Sequence, residues 1–494
     1  RDLRMSRGLG DVYKRQAYQG LVGRLTYEYA SRYLAEFNMG YNGTENFAKG
    51  KRFGFFPAVS LGWVISEEKF FPKNNIVKYL KVRGSYGEVG NDQIGGDRFL
   101  YLPSSYGAAS DSGVNKYNFG LASNPYTSLM IVENKIGNPD LTWEKAKKMN
   151  VGVDINLFNN CLTASFDIFK EKRNNILANR STSPMIIGAN LPAYNFGEME
   201  NRGWEMDLNF RHHIQDFHYW ARFNYSFARN EIIYMDEVQK RYDYQMTTGR
   251  RKNQFFGLIF DGYYNSWEEI NALDRPKSSW SGNQLQPGDV KYVDVNQDGV
   301  IDDYDMVPIG YTPVPEIIYG FSFGAQYKGF DFSILFQGAD NVSIKYFGRS
   351  MWPFAKGEES AKSLIKERWT QERYEAGEKI TFPRLSLNPN GETDHNYRPS
   401  TLWIRDASYL RLKNLEVGYT FTGGFVKRLN LNSVRLYFNG SNLFTWTDVV
   451  DLDPEAPSRS GNVEINTYPL QKVYNIGLNI NCLLYTSPSP RDMR

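Results

Sequence analysis

The chain has 494 residues, and its 58 basic and 55 acidic side chains nearly cancel to a net charge of +3. That balance excludes a nucleic-acid binder driven by global charge, and no apolar run approaches the ~18 residues of a membrane-spanning helix. A mean hydropathy of −0.53 does not exclude a membrane β-barrel, in which only alternate strand residues face lipid, and the 15% aromatic content (34 Tyr, 32 Phe) is unusual.

The two ends stand apart from the rest. Arg1–Gln16 (RDLRMSRGLGDVYKRQ) and Cys482–Arg494 (CLLYTSPSPRDMR) carry no periodicity that joins their neighbours, and both resemble translated sequencing-adapter read-through. They are set aside as processing scars are, leaving 17–481 as one β-barrel region, expected to be partial. Cys161 is then the single native cysteine, so no intramolecular disulfide is expected. The lack of a signal peptide says nothing, because the true N-terminus is expected to be absent.

Between the ends, the dominant pattern is period-2 alternation, the mark of strands with two unlike faces. Such segments fall near 18–29, 32–41, 55–65, 77–88, 145–157, 161–171, 200–211, 217–229, 253–262, 316–327, 330–338, 408–421 and 433–442, with a further one at 472–481. In FHYWARFNYSFA, Phe217, Tyr219, Ala221, Phe223, Tyr225 and Phe227 share one face, and His218, Trp220, Arg222, Asn224 and Ser226 the other. Some neighbours are joined by turns as short as 159–160, 213–216 and 328–329. Others are separated by Gly-, Asn- and Ser-rich stretches at 89–142, 172–199, 263–313, 339–407 and 443–471. Long structureless loops are improbable inside a compact soluble domain, but short turns alternating with long loops characterise an outer-membrane barrel. Aromatic clusters such as FFPAVSLGW and SYLRL fit girdles at the two membrane interfaces. The competing architecture is a soluble β-sandwich; a propeller is disfavoured because no blade-like period recurs.

Nine segments in order resemble the SusC/RagA family of TonB-linked outer-membrane transporters. They are KRFGFFPAVSLGWVISEEKFF (51–71), LKVRGSYGEVGN (80–91), NPDLTWEKAKKMNVGVDINLF (138–158), NRGWEMDLNF (201–210), PGDVKYVDVNQDGVIDDYD (287–305), PEIIYGFSFGAQYKGFDFSILFQG (315–338), LWIRDASYLRLKNLEVGYTF (402–421), VRLYFNGSNLFTW (434–446) and YPLQKVYNIGLNI (468–480). The resemblance implies an all-β fold, namely the C-terminal part of an antiparallel transmembrane barrel of about 22 strands, with long extracellular loops and the plug domain absent. It implies TonB-dependent import of glycan or peptide fragments across the outer membrane of a Bacteroidota-like bacterium, with a SusD-like surface lipoprotein as partner. The TonB–ExbB–ExbD complex would act through the missing N-terminal region. No catalysis is implied. A non-transporting adhesin or porin-like barrel is the alternative; a soluble calcium-dependent carbohydrate-active enzyme is a third reading, for which no catalytic carboxylate pair is evident.

One motif points to a metal. Numbered from Asp294 as position 1, Asn296 is 3, Asp298 is 5, Gly299 is 6, Val300 is 7, Asp302 is 9 and Asp305 is 12, the ligand spacing of an EF-hand loop. Side-chain oxygens and the Val300 carbonyl suit Ca2+, while Gly299 permits the sharp turn. Position 12 is Asp rather than Glu, and neither flank is helical, so the expectation is a structural calcium loop without an EF-hand. On the barrel reading it lies outside the cell, where a near-millimolar site fills. The alternative is an Asx-rich turn that binds nothing.

Other candidates read as structural. His212 and His213 are adjacent and point to opposite strand faces; His218 and His395 read as lumen and loop residues, and Cys161 as a packing residue. Tyr263, Tyr264, Trp267, Trp280, Tyr304 and Trp352 have the chemistry to stack on substrate, but each taken singly reads as loop packing. Residues 361–370 read as a short loop helix.

Overall fold

The computed structural model describes residues 17–93, 99–102, 107–108, 116–121, 126–129, 131–132, 136–182, 191–280, 285–346, 352–354, 363–386, 394–429, 431–450, 452–455, 462–463 and 470–482. The expectations for Arg1–Gln16 and 483–494 lie outside these residues; Cys482 ends the last strand.

Thirteen strands form one sheet in sequence order: β1 Tyr18–Tyr29, β2 Tyr33–Thr44, β3 Phe53–Val64, β4 Val77–Asn91, β5 Glu144–Leu157, β6 Leu162–Ala178, β7 Tyr194–Ile214, β8 Phe217–Tyr234, β9 Ile317–Tyr327, β10 Phe330–Asp340, β11 Tyr409–Phe421, β12 Leu431–Thr447 and β13 Val473–Cys482. Each pairs antiparallel with the next. This is an up-and-down meander, so odd and even connections fall at opposite ends. The links β1–β2, β3–β4, β5–β6, β7–β8, β9–β10 and β11–β12 all lie at one end, the longest of them being 65–76. In the β9–β10 turn, Lys328 and Gly329 both have positive φ (45° and 90°), as a two-residue hairpin matching the strand twist requires. The opposite end carries every long connection, including 92–143, 235–316 and 341–408.

Thirteen of the fourteen expected segments are strands of this sheet; 253–262 is not. Its apolar residues Phe255, Phe256, Leu258, Ile259 and Phe260 do not alternate, so no register gives it a single lipid face. It instead forms two short strands within a long loop, Phe256–Gly257 against Val307–Pro308 and Phe260–Tyr263 against Val290–Tyr292.

Strand register sorts the side chains. On one face Trp204 lies beside Phe227, Met206 beside Tyr225 and Leu208 beside Phe223, which in turn meets Phe321. The other face sets Glu205 beside Ser226 and Asp207 beside Asn224. The apolar face leaves Leu25, Leu61, Ile168 and Ile476 at 56–80% exposure, a surface too extensive for water. Along β7 it runs from Trp204 to Ile214, roughly 33 Å of strand, which a tilt near 40° reduces to about the 25 Å apolar band of an outer-membrane barrel. Beyond Trp204 this face turns charged: Lys170 pairs with Glu200 and Lys172 with Glu198, both at 2.9 Å. Placing a cation inside the belt therefore costs most at its centre. Phe223→Arg is expected to destabilise the barrel by about 2–4 kcal/mol, and Asn224→Arg, on the polar face, by far less. Urea unfolding in lipid vesicles, followed by far-UV circular dichroism, distinguishes the two.

The long connections fold into a second apolar core. Leu258, Tyr292, Ile344, Trp369, Phe382 and Trp403 are buried together, drawn from 235–316 and 341–408, with Val449 added from 448–472. Strand Ser343–Tyr346 lies between Ile404–Asp406 and Asn462–Val463, tying the loops to one another. SYLRL departs from the girdle reading: Tyr409 and Arg411 are buried beneath this cap.

Candidate functional site

The polar face is an ionic wall. Arg83 on β4 donates to Asp154 on β5 (3.0 Å) and to Asp167 on β6 (2.6 Å). Ser165 joins the same cluster, donating to Asp154 at 2.8 Å. Near β10–β12, Arg435 pairs with Asp331 and Glu416. Each guanidinium spans two or more strands, so the charges brace the wall and keep it wettable. A cavity of about 510 Å³ opens on this wall beside Glu28, Glu36, Ser60, Lys81 and Arg83.

Ion pairs centred on buried Arg411 and buried Glu316 tie the cap to the strands. Arg411 on β11, with a side chain 2% exposed, donates to Asp453 at 2.7 Å, to Glu455, and to the Thr445 hydroxyl at 2.9 Å. Lys413 also reaches Glu455, at 3.3 Å. Burial works to raise the Asp453 carboxyl, but Arg411 and the backbone N–H groups of Glu455 and Leu470 outweigh it and hold it below the usual carboxylate range. Across the rim, buried Glu316 accepts from Arg229 at 2.8 and 2.9 Å and pairs with Arg251 at 2.5 Å. Beside it a 340 Å³ cavity is lined by Glu171, Arg173, Asn230, Lys252 and Thr312. A larger cleft, about 1010 Å³, lies among the loops beside Glu237, Lys240, Arg241, Tyr304 and Arg398.

The expected calcium loop is a compact turn. The carboxylate of Asp294 accepts the N–H groups of Gln297 (2.7 Å) and Gly299 (2.8 Å), and Gly299 has φ +79°. Asn296 accepts from Asp298 N–H and Asp298 from Val300 N–H, at 3.0 and 2.9 Å. Asp305 is fully buried and accepts from Val295 and Asp302, while Asp302 caps the short turn Asp303–Asp305. Burial, together with the nearby Asp294 charge, raises the Asp305 carboxyl despite its N–H donors. Among the described residues, no three His, Cys, Asp or Glu side chains converge closely enough to hold a metal ion.

The aromatic candidates divide. Tyr263 and Tyr264 are buried, Trp280 lies under Arg398 at 4.1 Å, and Trp352 packs on Tyr397. Trp267 and Tyr304 stay exposed. Residues 363–367 form a 3-10 turn, followed by a helix at Gln371–Glu375. His395 is half-buried: one ring nitrogen lies 2.7 Å from the Val290 carbonyl and the other 3.0 Å from the Ser278 hydroxyl, and desolvation lowers its proton affinity. It is a structural residue of the cap. Sequence reasoning missed Arg411, Glu316, Asp453 and Glu455. Arg83 and Arg411 sit on the polar side of alternating strands, which is a usable signal; the loop carboxylates carry none.

Residues 7–443 match the model of the TonB dependent receptor-like, beta-barrel family. The chain belongs to that family. It is an outer-membrane β-barrel chain and not an enzyme. Among curated relatives, it is 28% identical to TonB-dependent receptor P3 of Formosa agariphila over 93% of its length. It is also 28% identical, again over 93% of its length, to TonB-dependent receptor SusC of Bacteroides thetaiotaomicron. It spans 45% and 43% of those two relatives. Among solved structures, the RagAB peptide transporter superposes with a TM-score of 0.72 at 24% identity, over 94% of this chain and 47% of that one. The SusC/RagA resemblance and the antiparallel barrel fold hold. In a TonB-dependent receptor barrel the apolar face meets lipid and the ionic wall lines the lumen.

Proposed function

We propose that this chain forms about half of a barrel that imports glycan or peptide fragments across the outer membrane, energised through TonB–ExbB–ExbD, with a SusD-like surface lipoprotein seated over its loops. The observation that carries this reading is the long-loop end. Its connections build a folded cap with its own apolar core, anchored to the strands by Arg411 and Glu316 above a polar, water-accessible wall. A simple pore has no need of such a cap, whereas a surface that selects solutes and receives a partner does. The test is uptake of labelled oligosaccharides and oligopeptides by the source bacterium, with the gene intact or with residues 235–316 deleted in frame. Uptake that depends on the cap and collapses with a protonophore supports the proposal. Uptake that ignores the protonophore indicates a porin-like barrel, and no effect on either class removes the transport reading.

The same proposal places Ca2+ in the loop 294–305, held by Asp294, Asn296, Asp298, the Val300 carbonyl, Asp302 and Asp305. Its support is uncompensated charge: no ion pair to Asp294, Asp298, Asp302 or Asp305 occurs among the described residues, and Asp305 is buried. Asp294, Asp298 and Asp302 keep oxygen lone pairs beyond their N–H bonds for a hard cation, whereas one oxygen of Asp305 already accepts from both Val295 and Asn296, so Ca2+ would bind only as the loop's carboxylates draw together around it. Millimolar Ca2+ is expected to slow proteolysis of this loop several-fold relative to EDTA, with the protection lost in Asp298→Ala. Equal cleavage rates with and without Ca2+ leave an Asx-rich turn.

A further inference from the structure

We propose that His213 and His218 form an exchangeable binding site for one borderline transition-metal ion, of the Cu2+ or Zn2+ class, at the short-turn mouth of the lumen. Strands β7 and β8 are joined by the two residues Gln215 and Asp216, and the register sets His213 directly opposite His218. Both lie on the polar face, in line with Asp207, Asn209, Arg222 and Asn224. Their rings stand 5.6 Å apart, nearly parallel at 23°. Two imidazoles on one tetrahedral ion, each with a metal–nitrogen bond of about 2.0–2.1 Å, have ring centres roughly 5 Å apart. The observed centre-to-centre spacing is already close to that value, so the shared ion asks for reorientation of the two side chains rather than a shift of the strands. The backbone there is well held: β7 and β8 pair along their full contact, and His218 also sits opposite Gln326 of β9.

The ring nitrogens are available. Neither His213 nor His218 has a hydrogen-bond or ion-pair partner among the described residues, and both are exposed. The other two histidines differ. His212 points to the opposite face and meets the Tyr219 hydroxyl at 3.2 Å, while both nitrogens of His395 are engaged within the cap. With two protein ligands, water completes the coordination shell, which marks an open, exchangeable site rather than a structural one. Imidazole donors and the usual affinity order among divalent ions favour Cu2+ over Zn2+.

The test is titration of the full chain in detergent with Cu2+, followed by electron paramagnetic resonance, and with Zn2+, followed by calorimetry. One equivalent of Cu2+ with two-nitrogen coordination is expected. His213→Ala and His218→Ala should each weaken binding about tenfold or more, and His212→Ala should leave it unchanged. Both positions are exposed, so the far-UV spectrum of each variant should match the parent; His213→Gln serves if it does not. Absence of binding at about 100 μM metal, or binding indifferent to both substitutions, overturns the proposal.

Discussion

Arg411→Ala is expected to destabilise the protein by about 3–5 kcal/mol, because it removes one partner from a buried charge cluster and leaves the others uncompensated. Asp453 and Glu455 have side chains only 10% and 20% exposed, and without Arg411 their charges face each other with Lys413 still paired to Glu455. The effect should begin locally. Limited proteolysis is expected to cut within 448–472 at denaturant concentrations where the strands remain intact. Arg411→Lys keeps the charge but loses the fork that reaches both carboxylates at once, so its loss should be intermediate. An exposed pair provides the contrast: Arg24 and Glu36 are 66% and 29% exposed, and Arg24→Ala should cost under about 1 kcal/mol. Equal effects at Arg24 and Arg411 would contradict a buried anchor.

Trp403→Ala should cost a similar amount, about 3–5 kcal/mol, by a different route. Trp403 is 2% exposed, meets Phe382 edge-on at 5.4 Å, and lies 5.4 Å from Tyr397. Its indole N–H donates to the Asn396 carbonyl at 2.8 Å. Truncation opens a cavity in the cap core and leaves that carbonyl unpaired. Loss should be confined to the cap: thermal melting followed by near-UV circular dichroism should show an early transition absent from the parent, while the far-UV strand signal persists. A single cooperative transition shifted as a whole would mean that cap and barrel unfold together.

Strand positions were legible because a barrel strand meets two unlike solvents. Lipid on one side and water on the other force alternation into each strand, as in Phe217–Phe227, and that pattern needs no partner to be read. The exception at 253–262 follows from the same physics. Inside a folded cap, both faces of a strand are buried against protein, so Leu258 and Phe260 obey no two-solvent rule and an apolar run is indistinguishable from a membrane strand. Turn chemistry was legible for the same local reason, with Gly329 supplying the positive φ of the β9–β10 turn and the Asx residues shaping the loop at Asp294.

Contacts across distance were not legible. His213 and His218 lie five positions apart, and only the register of a two-residue hairpin turns that separation into a facing pair. Arg411 meets Asp453 and Glu455 across a loop whose residues carry no periodic signal. By itself, the sequence determined the strand count within one, the unlike faces, the long-loop end and the family. Only the tertiary structure decided that the loops share one core, which charges anchor it and which histidines face each other. Alternation is imposed residue by residue by the surrounding solvent, whereas a buried ion pair or a cross-strand pair exists only once closure of the chain has removed its members from water and set them side by side.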